Sequence, residues 1–187
     1  MTEPAFESVK PRIDAAVNAA DPVTIAKQVK AALQDALRGD GLNLPAKFRE
    51  ARSDTYARRL LHRDDEGRYT VVVMTWGPGQ GTALHDHAGI WCVECVVDGE
   101  MDVTQYDLIG QSAGGYRFEE RSHVTAARGS AGCLIPPFEY HTLANSRADG
   151  ASVTLHVYGG EMTHCHVFEP SGAGAYRRVT RQLSYHE

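Results

Sequence analysis

The sequence predicts an all-β sandwich or barrel with a helical N-terminal segment packed on it. Three observations lead there. From Tyr56 onward the chain breaks into short strand-like runs cut by Gly and Pro. The first third instead repeats apolar residues at helical spacing. No βαβ rhythm, GxGxxG or P-loop sequence occurs, which disfavours nucleotide-binding folds.

Asp21-Pro22 is a helix start, with Asp as N-cap and Pro at the first position. Ile25, Val29, Leu33 and Leu37 then form an apolar stripe, and "RGDG" supplies the stop at Gly39 or Gly41. A shorter helix is expected from Pro11 to Ala20, and another from Pro45 through Phe48. These stripes have packing content and no catalytic content. "YARRLLHR", "DDEG" and "RYTVVVMTW" read as strand, turn, strand. "VECVVDGEMDVTQYDL" reads as two strands about Gly99; "YRFEERSHVTAA", "GCLIPP", "SVTLHVYGG" and "CHVFEP" continue the series. With no repeat or low-complexity linker, residues 1–187 form one domain. Residues 1–53 are the helical front, 54–170 the barrel carrying the site, and 171–187 a C-terminal tail.

Composition narrows the function. The net charge of −5 comes without a basic block, which argues against a nucleic-acid partner. The first residues carry acids and no unbroken apolar core, unlike a secretory leader. No run approaches the ~18 apolar residues of a membrane span. Of Cys92, Cys95, Cys133 and Cys165, only the first two form a CxxC, and a zinc ribbon needs a second pair. On a strand, residues three apart face opposite ways, which disfavours a shared metal or disulfide between Cys92 and Cys95. The expectation is a cytoplasmic protein with reduced thiols. A monomer is the favoured oligomeric state, which the sequence does not fix.

Nine histidines are present. His62, His123 and His186 sit in polar contexts and are expected on the surface. His164-x-His166 is taken as a pair of polar strand residues. His85-x-His87 differs, because it follows the glycine-rich "GQGTAL" and places both imidazoles on one face of an extended segment. His141, after "CLIPPFEY", can present a third imidazole to the same cavity. A second constellation lies in "SVTLHVY". Thr154, His156 and Tyr158 share one face, and Val153, Leu155 and Val157 the other. Read functionally, Thr154 orients His156, and His156 hydrogen-bonds Tyr158, whose phenol reaches substrate or oxygen.

Gly79 with His85 and His87, and Gly99 beyond the next strand, resembles the first motif of the cupins, and His141 resembles the single histidine of the second. Cupins are small jelly-roll barrels that hold a metal inside the mouth. Their usual glutamate ligand falls here on Trp91 or Cys92, and Glu94 comes too late for that spacing. Three neutral imidazoles would leave the metal's charge uncompensated by protein and favour an anionic substrate ligand, above all a thiolate. Three protein ligands also leave positions open for a chelating substrate and dioxygen.

The run from Tyr56 to Phe168 resembles the cysteine dioxygenase family of thiol dioxygenases. "HDH" and His141 look like the family's three iron ligands, which implies Fe(II) as cofactor. "TLHVY" is similar to its Ser-x-His-x-Tyr motif, with Thr154 in place of serine; this implies a catalytic set of Tyr158, His156 and Thr154. Cys92 falls where animal members carry the cysteine that crosslinks to the tyrosine matching Tyr158. "YARRL" matches a Tyr-x-Arg segment, which implies that Arg58 and Tyr56 hold the substrate carboxylate. Arginine at that position goes with L-cysteine. The implied activity oxidises a small carboxylated thiol with O2 to its sulfinic acid. The alternatives are the same reaction on 3-mercaptopropionate or mercaptosuccinate, the latter if Trp91 or Ile90 lines the pocket. A further alternative is a metal-bearing cupin that only binds a small acid. Cys95 and Cys133 are expected to be small buried hydrophobes, and Cys165 to lie near the pocket.

Overall fold

The computed structural model describes residues 4–39 and 42–187. Three helices open the chain: α1 (Pro4–Glu7), α2 (Lys10–Ala16) and α3 (Pro22–Arg38). Asp21 caps α3, its carboxylate accepting from the Thr24 N–H at 2.9 Å. Val29, Leu33 and Leu37 are buried as the stripe requires, with Ala26 and Ala32 beside them. Gly39 is the C-cap, and Gly41 lies outside the described residues. The expected helix after Pro45 is a single 3-10 turn, Ala46–Phe48.

Ten strands follow: β1 (Ala57–Arg63), β2 (Thr70–Trp76), β3 (Cys92–Asp98), β4 (Glu100–Ser112), β5 (Gly115–Ala127), β6 (Ala131–Leu134), β7 (His141–Asn145), β8 (Ser152–Tyr158), β9 (His164–Gly172) and β10 (Ala175–Gln182). They form two five-stranded sheets, ordered β1-β2-β8-β3-β6 and β7-β4-β5-β10-β9. The strand pairs are antiparallel. This is the cupin jelly roll, a double-stranded β-helix with N-terminal helices.

The two sheets differ in how they are covered. β2 and β8 are buried along their whole length. On the outer face Val71, Val73, Val153, Leu155 and Val157 share one core cluster with Val29, Leu33 and Leu37 of α3, which lies against β3 and β6. On the inner face Val72, Met74, Trp76 and Tyr158 meet Met101 and Leu143 of the second sheet. A strand covered on both faces reads as an unbroken apolar run, which accounts for "VVVMTW". Each such side chain contributes about 1.5–3 kcal/mol by burial. Among the described residues no helix packs broadly on the second sheet, and β5 is exposed or half-buried along its length.

Residues 80–87 lie between β7 and β9. Thr82 N–H bonds to Leu143 O at 2.8 Å, and Phe168 N–H to Leu84 O at 2.8 Å. The two edges of the second sheet are thereby joined through the segment that carries His85 and His87, and its backbone polar groups are used. The stretch expected as a tail is part of the wall. β10 pairs along β9, Leu183 N–H bonds to Thr163 O, and His186 N–H bonds to Arg58 O at 2.7 Å.

Gly99 turns β3 into β4 at φ 77°, and an added Cβ would lie 2.9 Å from Ser152 Cα. Left-handed backbone and close approach both require glycine there. Gly99→Ala is expected to cost about 2–3 kcal/mol, seen as a lower denaturation midpoint of the metal-free protein. A wild-type midpoint would refute the close approach.

Candidate metal centre

His85 and His141 face each other across an antiparallel bridge, with His85 N–H bonded to His141 O at 3.2 Å. Directly paired residues point to the same side, and His87, two residues on, joins them. The ligand atoms of the three imidazoles lie within 4.8 Å of one another. The Nε2 atoms of His85 and His141 are 3.2 Å apart. Two imidazole nitrogens bound at 2.0–2.1 Å on a tetrahedral ion stand about 3.3 Å apart, so this spacing fits a shared metal. His85 Nδ1 bonds to Ala83 O at 3.0 Å, which turns its Nε2 inward. Burial, with His141 alongside, lowers the His85 pKa to about 3 and that of His87 well below the usual value. Both rings are therefore neutral with free lone pairs, as metal ligation requires. The residues present fit a divalent metal.

The loop between the ligands is tied down by a contact the sequence reading missed. His166 is not a plain strand residue: its Nδ1 meets Asp86 Oδ2 at 2.8 Å, and its N–H bonds Asp86 Oδ1 at 2.9 Å. Asp86 Oδ1 also accepts from Ala88 N–H at 3.1 Å, and Ala88 sits at φ 52°. The turn after His87 is thus held in a left-handed conformation uncommon for alanine. The signal was an HxH on each of two segments, with an acid inside one of them.

The histidines sit on a cavity of about 320 Å³, which Arg58, Trp76, Tyr158 and Cys165 also line. Arg58 is 3% exposed. Its Nη2 bonds to Met162 O at 3.0 Å, its guanidinium carbon lies 4.5 Å from the Tyr185 ring centre, and its buried Nε has no partner. No carboxylate stands within ion-pairing distance of Arg58 among the described residues, so a buried cation is left to be met by a ligand. Tyr56 stacks on Trp76 at 4.4 Å and lines the same cavity. Arg181 and Leu183, from the expected tail, complete the wall.

Tyr158 is buried, and burial, then the nearby Cys92, pushes its phenol well above the usual value. It stays protonated and can donate. Burial also lowers His156, to about 4. The chain Thr154–His156–Tyr158 needs correcting. Thr154 Oγ1 and His156 Nε2 are 2.8 Å apart as expected. His156 makes no hydrogen bond to Tyr158; the two rings stack with centres 5.9 Å apart. Successive same-face residues on a strand lie side by side, which favours stacking over end-to-end bonding. The other ring nitrogen, Nδ1, instead faces Glu94 Oε2 at 3.7 Å.

Glu94 also lies 3.6 Å from His141 Nδ1, so the ion would not stand as uncompensated as three neutral ligands alone imply. Burial raises the Glu94 carboxyl, but the facing His141, His156 and His85 outweigh it and hold it below the usual range. The signal was an acid inside the otherwise apolar "CVECVV".

The remaining expectations divide. Trp91 and Ile90 do not line the cavity: Trp91 packs against the outer core with its ring over Gly159, and Ile90 packs against the inner cluster. Cys92 lies in the inner cluster and Cys95 in the outer, as strand alternation requires. Cys92 is opposite Tyr158 in the β3–β8 register and fully buried, outside the cavity lining. Cys133 Sγ contacts Ala26 O at 3.5 Å, and Cys165 reaches the cavity. His123 is exposed. His62 is not a surface residue: its ring lies 5.2 Å from Phe6 and 5.6 Å from Tyr69. His186 is tied down too, its Nδ1 accepting from Arg58 N–H at 3.0 Å. No helix of the described residues is long and apolar enough to cross a membrane.

Comparison with known proteins agrees with this geometry. The family described as "Cysteine dioxygenase type I" matches residues 19–171, more than half of the chain. "Cysteine dioxygenase type 1" of Rattus norvegicus is 25% identical over 143 residues, 76% of this chain and 67% of the rat protein. The Homo sapiens protein of the same description is 23% identical over 141 residues, 75% of this chain and 66% of its own. Among solved structures, a cupin-2 domain from Rhodospirillum rubrum is similar over 67% of this chain and 74% of its own, at 17% identity and TM-score 0.47. On the match over residues 19–171, the chain belongs to the cysteine dioxygenase type I family.

Proposed function

We propose that the protein is an iron-dependent thiol dioxygenase that oxidises a small carboxylated thiol, first of all L-cysteine, to its sulfinic acid. The observation that carries this is the pairing of a three-imidazole cluster with a buried arginine lacking a carboxylate, on one cavity. In the reaction both atoms of O2 end on sulfur. Sulfur loses four electrons and dioxygen gains them. Fe(II) held by His85, His87 and His141 would supply dioxygen activation and a seat for the thiolate. Arg58 fixes the substrate carboxylate as a rigid fork, with Tyr56 beside it. Tyr158 offers its phenolic proton to sulfur or oxygen. Trp76, Met74 and Leu143 give the cavity an apolar lining, which strengthens these contacts. Four free thiols accord with a reducing, cytoplasmic setting.

One observation favours a second substrate. Arg181 sits opposite Cys165 in the β9–β10 register and lines the cavity, partly occupied by Glu169 at 3.0 Å. A second guanidinium suits a dicarboxylated thiol such as mercaptosuccinate. Oxygen uptake by the iron-loaded protein with L-cysteine, 3-mercaptopropionate and mercaptosuccinate tests both readings. Uptake is expected with at least one; none with any would leave a cupin that only binds. Arg181→Ala is expected to lower kcat/KM for mercaptosuccinate alone, about 2- to 5-fold for an exposed contact. An equal loss on all three thiols would reject that role.

The register also supports a thioether between Cys92 and Tyr158, since directly opposed side chains share a face. Its formation removes two hydrogens and is a two-electron oxidation with dioxygen as acceptor. Protein that has turned over is expected to contain a species about 2 Da light, with both residues in one tryptic peptide pair. Unshifted mass after prolonged turnover would exclude it.

A further inference from the structure

Glu94 is a buried carboxylate with no lysine or arginine within ion-pairing distance among the described residues. Its partners are two imidazoles. Oε1 is 3.6 Å from His141 Nδ1, and Oε2 is 3.7 Å from His156 Nδ1. The two Nδ1 atoms and Oε2 are all buried without a hydrogen-bond partner, and each Nδ1 faces one Glu94 oxygen. The register explains the meeting: Glu94 lies directly opposite His156 on neighbouring strands.

The placement of the imidazole protons follows from the two ends of the chain. Trp76 Nε1 can only donate, and it gives to Thr154 Oγ1 at 2.9 Å. The Thr154 hydroxyl is then free to give its proton to His156 Nε2 at 2.8 Å. That leaves the His156 proton on Nδ1, facing Glu94, which as a carboxylate only accepts. At the other oxygen, His141 Nε2 faces His85, so its Nδ1–H also points at Glu94.

We propose that Glu94 is a positioning residue that fixes His141 as an Nε2 metal ligand and couples the metal centre to the Thr154–His156 pair. It does not touch metal or substrate. Its negative charge offsets part of the ion's charge from behind a neutral ligand, as a carboxylate behind a metal-bound histidine does. The cupin glutamate is thereby displaced from the ligand set to the far side of His141. The inference rests on His85, His87 and His141 binding a metal, and not on which thiol is oxidised.

The test compares the full-length protein with Glu94→Gln, which keeps the shape and removes the charge. Co(II) is titrated into each metal-free protein, and the Fe(III)/Fe(II) potential of each iron-loaded protein is measured. Glu94→Gln is expected to bind Co(II) about 10- to 100-fold more weakly and to have a more positive iron potential, because the lost anion favoured the ferric charge. Equal affinity and an unchanged potential would overturn the proposal. If the wild type itself binds no Co(II), the metal reading falls first and this one with it. A measurement that needs no variant guards against misfolding. Nitrogen-15 NMR of the Zn(II)-loaded wild type is expected to show His156 protonated on Nδ1. Protonation on Nε2 would reverse the hydrogen-bond chain and overturn the coupling.

Discussion

His141→Ala is expected to lose metal outright. The side chain is fully buried and supplies one of three imidazoles, so its removal leaves two, too few to retain an ion through dialysis. Iron content should fall from about one ion per chain to about none. A second loss accompanies the first. Without His141, Glu94 keeps only His156 as a polar neighbour, and leaving a buried polar group short of a partner costs about 1–3 kcal/mol. The metal-free variant should therefore melt below metal-free wild type. His123→Ala, at an exposed site, is the control and should keep both iron and stability. Iron content near wild type in His141→Ala would remove this residue from the ligand set.

Arg58→Ala should act on substrate rather than on metal. A charge-assisted bond to a carboxylate is worth about 1.5–3 kcal/mol, so kcat/KM for a carboxylated thiol should fall roughly 10- to 150-fold. Most of the change should appear in KM. Cysteamine, which has no carboxylate, should lose little. Iron content should hold, because Arg58 is not a ligand. The side chain also braces Met162 O, and Ser184 O at 3.5 Å, so Arg58→Met, which keeps the aliphatic stem, separates lost charge from lost packing. An unchanged KM in both variants would end the carboxylate role.

Much of the architecture could be read from local pattern. "VVVMTW" and "SVTLHVY" declare strands, and the alternation in the second correctly separates Thr154, His156 and Tyr158 from the outer core. Asp21-Pro22 declares a helix that forms with the expected cap. The spacing of His85 and His87, with the context of His141 and its resemblance to the second cupin motif, pointed to three histidines that the fold brings together. What escaped was set by partners distant in sequence. Asp86 and His166 are 80 residues apart, and neither looks special alone. Trp91 follows a turn whose exit direction is fixed by Ala88 at positive φ, so its outward course was invisible. Glu94 was judged against ligand spacing, although a charge inside a buried strand already demanded partners. The last residues looked like a tail because "AYRRVTRQ" is polar; β10 has one face toward solvent and a register supplied by β9.

The two sheets contribute different halves of the centre. His141 begins β7, and residues 80–87 bridge the edges of that same sheet, so the imidazoles belong to the uncovered layer. Arg58 lies on β1 of the helix-covered layer. A bound thiol would be anchored by its sulfur to one layer and by its carboxylate to the other. Packed sheets keep a separation of about 10 Å that side-chain volume sets. The barrel would thus work as a caliper. Its jaws are the layers, and the core between them decides how many carbons can separate sulfur from carboxylate. Substrate length would then be selected partly by residues such as Met101 and Leu143, which hold the jaws apart from well inside the core.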